Sequence, residues 1–103
     1  MTKYRIIISE RAQNDLDSLS NVISFEYKAP KTAIKYLREL FAVINMLSQN
    51  ADIFQFQTRK SIVDAYGTFV RRINYKKMAI LYTIHTDTVY ILRVIPQSTI
   101  SGL

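Results

Sequence analysis

After two long segments of helical spacing, the hydrophobic period of this chain changes near Thr68, and that change limits the architectures open to it. Before it, apolar residues recur at helical spacing; after it they fall into short runs separated by turns. Ala12, Leu16, Leu19 and Ile23 are spaced by four, three and four, on one face of a helix predicted over residues 10–27. Ser9 is placed to cap that helix, with Glu10 in its first turn, and Asp15, Asp17 and Ser18 fall off the apolar face. Ala29 and Pro30 break the run, and proline suits the first turn of a second helix reaching about residue 49. Ala33, Leu37, Leu40, Phe41, Ile44 and Leu47 form its stripe, and Lys31, Lys35, Arg38 and Glu39 lie largely outside.

The short β-branched run Tyr4-Arg5-Ile6-Ile7-Ile8 ahead of these helices is a strand. Three more strands occupy residues 69–74, 79–85 and 89–95, joined by turns short enough for antiparallel hairpins. Residues 50–67 carry no sustained period and form a partly packed connection, with room for a short strand or a helical turn. The order strand, helix, helix, three strands defines an α+β domain over residues 1–103, an antiparallel sheet with a helical hairpin on one face. The other face is expected to be open.

In the last strand, Tyr90, Leu92 and Val94 point one way and suit the helices. Val89, Ile91, Arg93 and Ile95 point the other way, an apolar floor carrying one cation. Adjacent residues Arg71 and Arg72 must face opposite sides, and the more polar set Val70-Arg72-Asn74 selects Arg72 as the neighbour of Arg93. Such a face is a docking surface; the plainer alternative is a surface arginine whose stem covers apolar neighbours. Lys76 and Lys77 extend its positive rim, or are simply solvated.

A net charge of +6 and a pI near 9.7 favour acidic partners such as nucleic acid or an acidic protein segment. Cysteine is absent and histidine occurs once, so neither a disulfide framework nor a cysteine or histidine metal cluster is available. No cofactor is expected, and the acidic residues show no metal-ligand spacing. No membrane segment or signal peptide is evident, so a cytoplasmic home is expected. His85 at a strand end is a turn residue before it is a general base. The tyrosines could include a base-stacking residue, although core or hairpin packing suits each one singly.

The run Phe69-Val70-Arg71-Arg72-Ile73-Asn74-Tyr75-Lys76-Lys77-Met78-Ala79-Ile80-Leu81-Tyr82 resembles the arginine–tyrosine hairpin of RelE/ParE toxins. Val89-Tyr90-Ile91-Leu92-Arg93-Val94-Ile95 is similar to their closing strand. The opening Tyr4-Arg5-Ile6-Ile7-Ile8-Ser9 with Ala12, Asp15 and Leu16, and the pair Pro30 and Ala33, also match that family. The likeness runs along essentially the whole chain in the right order.

The resemblance implies the toxin of a type II toxin–antitoxin pair, silenced by a cognate antitoxin. RelE-like members cut messenger RNA in the ribosome, and ParE-like members poison DNA gyrase. The target- or antitoxin-binding residues expected here are Arg71, Arg72, Lys76, Lys77, Tyr82, Ile91 and Arg93. Ala79 stands where several RelE-like chains have an arginine, and Val94-Ile95-Pro96 replaces their histidine- or tyrosine-bearing tail. RNA cleavage by a 2′-hydroxyl needs a base, an acid and charge stabilisation, and no good proton-transfer pair remains. The pattern is closer to the ParE-like branch, although that branch often has a histidine where Pro96 stands. A binding inhibitor is expected, with the messenger-RNA endonuclease and a basic nucleic-acid-binding domain as alternatives. Self-association through the open face is expected when the antitoxin is absent.

Overall fold

A computed structural model of the chain describes residues 3–26, 28 and 30–101. Strand β1 (Arg5–Ile8) leads into helix α1 (Glu10–Asn21) through Ser9, which works in two directions. Its Oγ accepts the Ala12 N–H at 3.1 Å, as the predicted cap, and donates to the Leu92 carbonyl at 3.1 Å. After Asn21 the helix widens into a π turn, Val22–Glu26. The predicted helix end at Tyr27 and the break at Ala29 lie outside the described residues.

Helix α2 (Pro30–Asn50) runs back, burying Ala33, Leu40, Ile44 and Leu47. A 3₁₀ turn (Ala51–Ile53) and an irregular stretch follow, and then a helix that the sequence pattern did not reveal, α3 (Lys60–Tyr66). Gly67 ends it at φ 95°, donating its N–H to the Val63 carbonyl. Side chains hold this connection to the sheet where periodicity is missing. The Tyr82 hydroxyl donates to the Ala51 carbonyl at 2.6 Å, and Arg71 Nη1 donates to the carbonyls of Asp52 and Phe54.

The strands β2 (Arg71–Tyr75), β3 (Met78–His85) and β4 (Thr88–Pro96) form the two predicted hairpins, and a short helix α4 (Gln97–Ser101) closes the described chain. The four-stranded sheet has the order β1-β4-β3-β2. The hairpin strands pair antiparallel, while β1 joins β4 in parallel, which makes the sheet mixed rather than wholly antiparallel. The intervening helices supply the long crossover that a parallel pairing needs.

The expected face assignment in β4 fails halfway along the strand. Leu81 pairs with Arg93 and Tyr82 with Ile91, so Leu92 is an extra residue opposite no partner. Such a bulge inverts the alternation beyond it. Val89 and Ile91 therefore join Val94 on the helix face, packed with Ala12, Leu16, Leu40, Ile44 and Leu47. Leu92, Arg93 and Ile95 lie on the outer face.

That outer face is not open. Ile62 and Tyr66 of α3 and Ile100 of α4 cover Val70, Ala79, Leu81, Leu92 and Ile95 in a second apolar cluster. Each fully buried aliphatic side chain in either layer contributes about 1.5–3 kcal/mol. No helix among the described residues is long and apolar enough to cross a membrane.

Candidate functional site

Register brings two of the expected arginines together. Arg72 pairs with Leu81 and Leu81 with Arg93, so both cations flank one buried leucine on the outer face. They are two strands apart, about 10 Å by ordinary strand spacing. Arg71 is on the opposite face beside Tyr82, with its guanidinium 4.2 Å from the centre of the Phe56 ring. Its bonds to Asp52 and Phe54 make it a tie for the connection after α2.

Arg93 is engaged within the fold. Its Nε and Nη2 reach the two carboxylate oxygens of Asp15 at 2.7 and 3.0 Å, and its Nη1 donates to the Tyr66 hydroxyl at 3.1 Å. The side chains of Arg93 and Asp15 are only 20% and 16% exposed. The carboxylate holds the guanidinium pKa above its already high ordinary value. Asp15 also accepts the backbone N–H of Val94 at 3.0 Å. β1 pairs with β4 only as far as Ile91, so this carboxylate satisfies the β4 edge just beyond the last strand pair. The sequence pattern placed Asp15 off the apolar face of α1 but gave no sign of its partner, which lies 78 residues away.

Arg72 has neutral partners. Its Nε donates to Asn74 Oδ1 at 2.8 Å and its Nη2 to Gln97 Oε1 at 3.1 Å. Gln97 in turn donates from Nε2 to the Lys76 carbonyl at 2.7 Å and from its backbone N–H to the Lys77 carbonyl at 2.8 Å. One glutamine thus joins the end of β4 to the β2–β3 turn and fixes Arg72 beside it.

Lys76 and Lys77 form that turn and are exposed. Lys76 Nζ is 5.5 and 5.4 Å from the ring centres of Tyr36 and Tyr75, and 3.7 Å from Glu39. The Tyr75 hydroxyl donates to Glu39, which pushes the phenol up to about 12 and the carboxyl below its usual range. Glu39, Gln97 and Tyr66 are site residues that strand alternation could not find, because each comes from a helix.

Two expected contact residues are core instead. Tyr82 and Ile91 are both 0% exposed. The bulge turns Ile91 toward the helices, and Tyr82 is drawn inward by its bond to Ala51. Burial raises the Tyr82 phenol far above its ordinary pKa. His85, the chain's one histidine, is at the opposite end of β3 from the lysine turn, its ring 5.4 Å from that of Tyr90. Among the described residues, the titratable groups bonded to Arg72 and Arg93 are the Asp15 carboxylate and the Tyr66 hydroxyl, both on Arg93.

A family model described as the ParE toxin of the type II parDE toxin–antitoxin system matches residues 6–100. The chain belongs to this family and is a type II toxin. Its structure is similar to a chain of the chromosomal ParDE toxin–antitoxin system from P. aeruginosa, with TM-score 0.70 and 16% identity over 91% of this chain and 96% of that one. It is also similar to a chain of the RelBE2 toxin–antitoxin complex from Mycobacterium tuberculosis, with TM-score 0.59 and 18% identity over 95% of each chain. No curated protein matches its sequence.

Proposed function

We propose that this toxin arrests growth by binding a cellular target, DNA gyrase, in the bacterial cytoplasm, and that a cognate antitoxin silences it. The observation that carries the binding mode is the engagement of Arg93. A guanidinium held bidentately by Asp15 and also bonded to Tyr66 is occupied by its own fold. It is poorly placed to stabilise charge on a scissile phosphate. The ParE family match supports gyrase as the target over the ribosome. The ParDE and RelBE2 structures are toxin–antitoxin systems, which supports an antitoxin partner for this chain. Arg72, Lys76 and Lys77, all outside the core, are the proposed contact residues on the outer face and its rim.

Induced expression without the antitoxin tests this reading. Growth arrest with gyrase-dependent double-strand breaks and intact transcripts is expected, relieved by co-expression of the neighbouring antitoxin gene. Transcripts cleaved on the ribosome, without DNA breaks, would establish the endonuclease reading instead.

A further inference from the structure

Charge is unevenly distributed over this fold. Residues 67–101 contain five basic side chains and a single acidic one, Asp87. Asp87 is in the β3–β4 turn, at the end of the sheet opposite the lysine turn. At the lysine end, two shallow grooves of about 280 and 340 Å³ adjoin and share Lys76. The first is lined by Thr32, Lys35, Tyr36 and Glu39 along one stripe of α2. The second is lined by Lys77, Pro96, Gln97 and Ser98, with Arg72 held at its margin by Gln97.

From these observations we infer that the double groove is a binding track for the phosphodiester backbone of a nucleic-acid strand. Lys35, Lys76, Lys77 and Arg72 follow one another along it, and a row of cations suits a row of phosphates. The hydroxyls of Thr32 and Ser98 add donors, and Tyr36 offers part of a ring face. Glu39 is the one carboxylate in the lining, and it already accepts from Tyr75 and faces Lys76. Its ion pair with Lys76 is solvent-exposed, of the kind that exchanges readily. An acidic peptide is the poorer occupant: a peptide docks by large apolar anchors, and the exposed Phe25, Phe56 and Phe69 line neither groove. The track shares Arg72, Lys76 and Lys77 with the proposed target-contact surface, but direct binding of a single strand is read without any target enzyme present.

Fluorescence anisotropy with the full chain and a labelled 15-nucleotide single strand tests it. Four phosphate contacts on a single strand give a slope of log K against log salt of about −3, or about a 50-fold loss of affinity between 50 and 200 mM salt. The double variant Lys35→Gln/Lys77→Gln changes only exposed side chains and should keep the wild-type thermal midpoint. Its slope should fall by about half, with affinity at 50 mM salt reduced at least about tenfold. Unchanged binding in the double variant would overturn the inference, as would no binding by the wild type at 50 mM salt. Equal affinity for a polyglutamate of the same charge would also overturn it.

Discussion

Thr86 has φ 58° in the β3–β4 turn, a backbone conformation that a β-branched residue adopts only at a cost. Its side chain is exposed, so nothing in the core offsets that cost. Thr86→Gly should therefore stabilise the fold by about 0.5–1 kcal/mol, the relief of strain less the entropy glycine adds to the unfolded chain. A urea midpoint that falls would refute this. Lys76 has nearly the same conformation, φ 52°, but its ammonium packs over Tyr36 and Tyr75 and faces Glu39. Lys76→Gly should gain less than Thr86→Gly, because it loses those contacts as it relieves the strain.

At the scale of elements, α1 is docked onto β4 by one carboxylate as well as by Leu16 and Ala12. Asp15→Ala would leave a mostly buried guanidinium without its anion and the Val94 N–H without an acceptor. A loss of about 2–3 kcal/mol is expected. Asp15→Asn keeps an acceptor for Val94 and should cost less, and equal destabilisation by the two variants would contradict this account. The elements that bury one clean stripe were legible in sequence: β1, both long helices and the two hairpins. What stayed hidden had causes other than burial periodicity. α3 has only Ile62 fully buried, too little to show a period, and α4 is a single turn and a half built around Ile100. The placement of Arg72 and Arg93 on one face followed from alternation together with the polarity of the set Val70-Arg72-Asn74. That Arg93 would be consumed by Asp15, and Tyr82 and Ile91 by the core, depended on tertiary partners and on the bulge.

Across the whole molecule, the Tyr75–Glu39 pair ties the sheet's lysine turn to the middle of α2, and its titration should appear in global stability. Glu39 has a depressed carboxyl pKa, so its contribution is complete above the unfolded value near about 4.3 and is lost as pH falls through the lower folded value. Tyr75 is raised to about 12, so its contribution is complete below the unfolded value near about 10 and is lost as pH rises toward about 12. The thermal midpoint of the wild type should therefore exceed that of Tyr75→Phe at neutral pH, with the gap closing at both extremes. A gap of constant size from pH 3 to pH 11.5 would show that the pair does not act this way.

The extra residue at Leu92 has a consequence for comparing relatives. It acts as a parity correction: because the bulge takes up Leu92, Ile91 can face the helices while Arg93 still lies opposite Leu81 on the outer face. A chain without this residue would pair regularly through the same two positions and keep the same faces, whereas a chain that has the residue but no bulge would turn one half of the strand over. Counting strict alternation back from the closing arginine therefore puts the first half of the strand on the wrong face wherever the bulge is present, and percentage identity is blind to it.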